Sequence, residues 1–146
     1  MAEKWASELF KCGYNCSQSV FAAHAAKFGI DTATALKLSA PLGGGVGRMR
    51  EVCGAFSACA MLLGLKEASD DASPEKKRKI YERTQQLAEE FRRENGSIIC
   101  REILKLQKDA PMSPTPDART AEYYAKRPCL RVVESADALA REFLSR

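Results

Sequence analysis

The sequence lacks any apolar run approaching the roughly 20 residues that a helix needs to cross a bilayer, which excludes membrane insertion. It contains a single histidine and a single tryptophan. With one histidine, no nucleophile elbow and no paired carboxylate motif, there is no triad to assemble, so hydrolase chemistry is unsupported. No C-x-x-C occurs, and the cysteine spacing fits no zinc ribbon or ferredoxin. Aromatic residues make up 8% and the net charge is +4, without a zinc-finger or RNA-binding signature, so nucleic acid is not an expected partner. The opening stretch, MAEKWASELFKCGYNCSQ, breaks its apolar positions with charges and is unlike the core of a secretory signal. The cytoplasm is therefore the expected compartment.

What is present is an ordinary globular composition, 45% hydrophobic and 29% charged over 146 residues, enough for one core without disulfides. Strand-like alternation is absent, and almost every segment carries helical periodicity. An amphipathic helix is expected over 2–12, through Trp5, Leu9 and Phe10, ending at Gly13. Asn15 caps a helix over 16–28 that Gly29 stops, and Asp31 or Thr32 caps another to about Ser39. LGGGVGRM at 42–49 reads as a glycine-rich turn. EVCGAFSACAMLLGL at 51–65 is apolar on all sides, the mark of a helix wrapped by others. Pro74 opens a long helix to Glu94, with Ile80, Thr84, Leu87 and Phe91 inward and the EKKRK run of 75–79 on a solvated face. Ser97 is read as the cap of a helix over 98–107. The proline-rich 108–119 segment is a surface loop, followed by AEYYAK and a last helix from Cys129. Residues 1–146 thus form one all-α domain, a bundle of six to eight helices around the buried central helix 51–65.

Six cysteines in a reducing compartment point to redox, catalytic or metal chemistry more than to a disulfide framework. Four of them fall at predicted helix starts: Cys16 after the cap Asn15, Cys53 after the glycine turn, Cys100 after Ser97, and Cys129 after Pro128, with proline at the first helical position. A helix start offers positive potential and free N–H groups, which favour a thiolate or the sulfur of a metal–thiolate bond. Arg48, Arg50, Arg101, Lys126, Arg127 and Arg131 flank the set and act in the same direction. Converging in space, the four would make an electropositive pocket lined by sulfur; the alternative is four small buried hydrophobes. Cys59, among apolar neighbours, reads as core. Cys12 is read as partly exposed rather than bonded to Cys16. His24 is expected to be half-exposed and idle, the alternative being a fifth ligand or a proton carrier.

The segments GYNCSQSVFAAH, LGGGVGRM, CGAFSACAMLLGLK and GSIICREIL, with the late Cys129 after them, resemble in order the C-GCAxxG-C-C family, described as redox-active and named for its cysteine pattern. The resemblance runs from about Ala6 to Leu144 and makes Cys16, Cys53, Cys100 and Cys129 the family's four cysteines. One position departs, since Ala58 stands where the motif ends in glycine. The family is similar to a domain of split-Soret cytochromes, which implies that four cysteines on this scaffold can hold an iron–sulfur cluster. Covalent haem does not carry over, because no C-x-x-C-H exists. The leading expectation is one iron–sulfur cluster, of the two-iron two-sulfur type, on the four cysteines for electron transfer, with zinc as a structural variant. A metal-free thiol/disulfide oxidoreductase is the alternative. A small module cradling an anion in the GGGVG turn is the third reading, although no P-loop ending is present. The expected partner is a redox partner that the sequence does not name, with a homo-oligomer left open.

Overall fold

Eight α-helices build the computed structural model, which describes residues 5–146: α1 (Ala6–Lys11), α2 (Cys16–His24), α3 (Thr32–Ser39), α4 (Gly54–Glu67), α5 (Pro74–Asn95), α6 (Cys100–Ile103), α7 (Ala121–Lys126) and α8 (Cys129–Leu144). Residues 2–4 of the predicted first helix lie outside the described residues. Among the described residues there is no strand, only a lone antiparallel bridge between Val52 and Ile99. No helix among them is long and apolar enough to cross a membrane.

The apolar 51–65 segment does lie at the centre. α4 packs against α2, α8 and α5, and α1 closes the far side against α2 and α8. Ala55, Ala58, Cys59 and Leu62 are fully buried, and Phe56 meets Phe91 of α5 edge to face at 5.6 Å. Each large side chain so buried contributes about 1.5–3 kcal/mol. α8 turns Val132, Val133, Ala136, Ala140 and Phe143 inward, while Leu130 and Leu139 are half-buried. Several helix ends fall where their capping residues place them. Asn15 and Gln18 form a reciprocal capping box (2.9 and 3.1 Å), Asp31 caps α3, Ser73 caps α5 ahead of Pro74, and Gly96 ends α5 at φ +85°.

Other boundaries differ. The helix expected over 16–28 tightens to a 3₁₀ turn after His24, over Ala25–Phe28. Trp5 is no core residue: it precedes α1, is 52% exposed, and lies under the Arg141 guanidinium at 3.7 Å. The helix expected over 98–107 shrinks to α6 because 98–101 is recruited by 50–53. Cys53 N–H donates to Ile98 O (2.7 Å), Cys100 N–H to Glu51 O (2.7 Å) and Arg101 N–H to Arg50 O (3.2 Å). Ile98 and Ile99, β-branched, suit this extended pairing. Ser97 makes a local turn instead of a cap, accepting from Ile99 N–H and donating to Glu102, and Lys105 at φ +56° leads the chain out of α6. Pro128 occupies the cap position of α8, one residue earlier than expected.

His24 is fully buried, not half-exposed. Its Nε2 meets Asp137 Oδ1 at 2.6 Å, and Lys27 Nζ donates to Nδ1 at 3.0 Å, which puts the ring proton on Nε2, facing the carboxylate. Asp137 Oδ2 accepts the Ala6 N–H at 3.2 Å, so this one carboxylate ties α8 to the start of α1 and the end of α2. Burial opposes its charge, but hydrogen bonds from His24 and Ala6, with the charge of Arg141, win and hold its pKa below the usual carboxylate value.

Candidate thiol cavity

Three non-helical devices bring the candidate cysteines together. The first is the turn after α3. Gly44, Gly45, Val46, Gly47 and Arg48 all have φ between +57° and +71°, a continuous left-handed stretch, and Arg50 comes after them at +62°. The N–H groups of 46–51 all donate back to carbonyls of 41–46, so the loop folds on itself instead of pointing its amides outward. Two glycines there are demanded by space: a Cβ at Gly43 would lie 2.2 Å from Asn15 Nδ2, and one at Gly45 would lie 2.6 Å from Cys100 Cβ. The second device is the pairing of 50–53 with 98–101, which draws together the segments that carry Cys53 and Cys100. The third is Gly54, where a Cβ would lie 2.8 Å from Cys16 Sγ, so α4 can start against the start of α2 only without a side chain.

Cys16, Cys53, Cys100 and Cys129 all line one cavity of about 390 Å³, together with Arg48, Arg50, Arg119 and Arg127. Cys16 and Cys129 are the first residues of α2 and α8, Cys100 the first of α6, and Cys53 is the cap residue of α4. All are free thiols; Cys53 and Cys100 are buried, Cys16 and Cys129 half-buried. The remaining two stand apart. Cys12 is exposed, and Cys59 is buried, donates to Ala136 O at 3.4 Å, and is pushed up in pKa by burial.

Helix starts and arginines are expected to favour thiolate at all four positions; the pKa falls at Cys16 alone, and there the largest cause is the Cys53 side chain rather than a helix start or an arginine. Hydrogen bonding from the Cys53 thiol lowers Cys16 to about 6 against burial, aided by the N–H groups of Gly44, Ser17 and Ala55. Cys53 moves the opposite way, raised by giving its proton to Cys16, by burial and by the Cys16 charge. Burial raises Cys100 despite Arg50, whose Nη1 donates to its sulfur at 3.6 Å. Burial and the Cys16 charge raise Cys129, opposed by hydrogen bonding from Tyr123 and the charge of Arg127. Cys16 is thus the one cysteine of the four shifted toward the thiolate. Among the described residues, no group of three or more His, Cys, Asp or Glu side chains is arranged to hold a metal ion. His24 does not line the cavity.

The proline-rich surface loop forms the cavity's outer wall through Pro114, Pro116, Asp117 and Arg119. Asp117 is held by Arg127 (2.7 Å) and Arg48 (3.3 Å), and Arg48 also donates to Ser113 O at 2.9 Å. Arg119 donates to the carbonyls of Phe10 and Tyr14 (2.9 and 3.0 Å) and stacks over the Phe10 ring at 4.0 Å. Arg119 and Asp117 were not legible as site residues, since they belong to an aperiodic loop; the only signal was the density of prolines. Arg101 turns away to the carbonyls of Gln107 and Lys108, and Lys126 pairs with Glu122 on α7.

A family model described as "Putative redox-active protein (C_GCAxxG_C_C)" matches residues 14–143, a span that includes all four cavity cysteines. No curated protein and no solved structure matches the chain.

Proposed function

The chain belongs to the C_GCAxxG_C_C family of redox-active proteins, and from that premise we propose that it is a thiol–disulfide oxidoreductase in which Cys16 is the nucleophile and Cys53 resolves. The observation that carries this reading is the close approach of Cys16 and Cys53 on one cavity wall, where Cys16 Sγ lies 2.8 Å from the place of a Cβ on Gly54, next to Cys53; hydrogen bonding between the two thiols shifts them in opposite directions, Cys16 down and Cys53 up. The Cys16 thiolate attacks one sulfur of an acceptor disulfide, whose S–S bond breaks and releases a thiolate. The Cys53 sulfur then attacks Cys16 sulfur in the mixed disulfide, releasing the second thiolate, and the Cys53 proton leaves with it. The net change is a Cys16–Cys53 disulfide formed, one acceptor disulfide reduced, and two electrons passed from protein to acceptor. A cytosolic reductant of the dithiol class would return the pair, in keeping with a cytoplasmic setting and a redox partner.

A second reading is favoured by the four thiols from four separate elements on one arginine-lined cavity: a two-iron two-sulfur cluster held by Cys16, Cys53, Cys100 and Cys129. The donor chemistry suits such a cluster, which would supply one-electron transfer when bound. A structural zinc ion on the same four sulfurs is the close variant of this reading, told apart by zinc analysis of the same sample. In either case the Gly44 N–H stabilises charge on the Cys16 sulfur.

Two measurements on anaerobically prepared, reduced protein separate the readings. Alkylation of Cys16 as a function of pH is expected to inflect near 6, and mild oxidation is expected to give a Cys16–Cys53 linkage in peptide mass spectra. An inflection in the ordinary thiol range with no such linkage overturns the oxidoreductase. Iron and acid-labile sulfide near two per chain, with visible charge-transfer bands, would establish the cluster.

A further inference from the structure

Arg50 is the feature that neither reading uses up. Its side chain lines the cysteine cavity and is 8% exposed, and among the described residues it has no carboxylate partner. Its one hydrogen bond goes from Nη1 to a thiol, Cys100 Sγ, at 3.6 Å. The other arginines of the cavity are satisfied: Arg48 and Arg127 share Asp117, and Arg119 caps two backbone carbonyls. Four guanidinium groups therefore face one carboxylate across the cavity wall. Burying a guanidinium without an anion is costly, and a planar fork of donors matches a carboxylate or similar oxyanion. The backbone does not compete for this role, since the amides of 46–51 are spent inside the loop. Phe10, Ile103, Leu104, Val132 and Pro114 give the wall an apolar part, and the volume of about 390 Å³ holds a small organic molecule but not a folded partner's loop.

We propose that the acceptor reduced at Cys16 is a small organic disulfide carrying an anionic head group, which sits on Arg50 and presents its sulfurs to Cys16. This rests on the oxidoreductase reading above. The balance is that of the exchange already described: Cys16 thiolate, Cys53 thiol and the anionic disulfide give the Cys16–Cys53 disulfide, one free thiolate and one free thiol.

The test uses methanethiosulfonates, small reagents that undergo one and the same sulfur exchange: a thiolate attacks the sulfenyl sulfur, a mixed disulfide forms, and methanesulfinate leaves. Rates at Cys16 and at the exposed Cys12 are measured on the reduced full chain, by peptide mass spectrometry, with the 2-sulfonatoethyl reagent, the 2-(trimethylammonio)ethyl reagent and the neutral methyl reagent. The ratio of anion to cation rates cancels any change in thiolate fraction and reads only the field met by the reagent. At Cys16 this ratio is expected to exceed that at Cys12 by about tenfold or more. Arg50→Gln is expected to bring it within about threefold of Cys12, and Arg50→Lys, which keeps the charge, to restore most of it. A wild-type ratio at Cys16 no higher than at Cys12 overturns the proposal whether or not the variants fold, and so does an unchanged ratio in folded Arg50→Gln. If the neutral reagent reacts fast at Cys16 in either of those outcomes, the oxidoreductase survives without this substrate class. If the neutral reagent also reacts no faster at Cys16 than at a free peptide thiol at pH 5, both fall.

Discussion

Replacing Cys53 by alanine removes the largest single cause of the low Cys16 pKa, and the consequence can be worked through. With a pKa of about 6 against an ordinary 9.0, Cys16 at pH 7 is about 90% thiolate where a free thiol is about 1%. Nucleophilicity falls with basicity, by a factor of roughly 20 over three pKa units at a Brønsted slope of 0.4–0.5. The net advantage at pH 7 is only about fourfold. At pH 5, where the thiolate fractions are about 9% and 0.01%, it grows to about fortyfold. The informative assay is therefore iodoacetamide alkylation of Cys16 from pH 4 to 10, against an unstructured cysteine peptide, rather than a single rate at neutral pH. Wild-type protein should inflect near 6 and outrun the peptide most strongly in acid. In Cys53→Ala the inflection should move up, because burial then faces only the N–H groups of Gly44, Ser17 and Ala55. The advantage at pH 5 should shrink by an order of magnitude or more. An inflection that stays near 6 in Cys53→Ala would refute the assignment of the low pKa to the thiol pair.

The same shift links to stability. Cys16 has a folded pKa below its unfolded one, so its contribution is absent below about pH 6, grows as pH rises from 6 to 9, and is complete above that. Under reducing conditions the wild-type Tm should climb over this window by the equivalent of at most about 4 kcal/mol, less what solvent screening removes from a half-buried group, and Cys16→Ser should abolish the climb. Above about pH 9 the raised pKa values of Cys53, Cys100 and Cys129 act oppositely, so stability should fall again in strong base. Gly45→Ala combines φ +71° with a Cβ 2.6 Å from Cys100 Cβ, and urea unfolding should show it losing clearly more than Gly47→Ala, where the space is open and only the left-handed cost of about 1–2 kcal/mol applies. Equal losses would mean the loop does not press on Cys100. Asp137→Ala leaves His24 and the α1 start without their acceptor and should cost about 1–3 kcal/mol at pH 7 for each donor orphaned. The depressed Asp137 pKa makes its stabilisation present at neutral pH and lost only as pH falls below the usual carboxylate range, so the gap between wild type and variant should close in acid titrations monitored by circular dichroism.

The bundle was legible because its signals are local. α4 carries no polar face at all, and Asn15, Asp31, Ser73, Gly29 and Gly96 each punctuate a helix with residues adjacent to it. The four cysteines were legible for the same reason, each beside a cap, proline or glycine. The forces between elements could not be read. α6 looked longer because Ser97 reads as a helix cap, whereas the backbone of Ile98 and Ile99 pairs with residues nearly fifty positions earlier. His24 seemed idle because its partner, Asp137, is 113 residues away. The proline-rich loop gave no period from which Asp117 and Arg119 could be aimed at the cavity. Helix dipoles, the cause inferred from sequence, account for part of the gathering only. Extended pairing draws the strand-like segment of Cys53 to that of Cys100, and hydrogen bonding with Cys53 sets Cys16 apart from the other cysteines.

The left-handed turn ties the scaffold to the chemistry. Glycine fits φ near +60° freely, and Gly44, Gly45 and Gly47 use that freedom, but Val46, Arg48 and Arg50 take the same conformation at about 1–3 kcal/mol each. Glycine at 48 and 50 would relieve the backbone and would leave the cavity without two of its guanidinium groups. The strain at those positions is offset by six amide bonds within the turn and by the pairing of 50–53 with 98–101. What the strain delivers is direction: Arg48 reaches out to Ser113 and Asp117 and holds the proline-rich wall, while Arg50 reaches inward to the sulfur of Cys100. A right-handed course through the same residues would break the 44–51 hydrogen bonds and with them the placement of Gly44 N–H at Cys16. The turn therefore works as a charge-placing device, and its amides, spent on holding that shape, leave recognition of an anion to the side chain of Arg50.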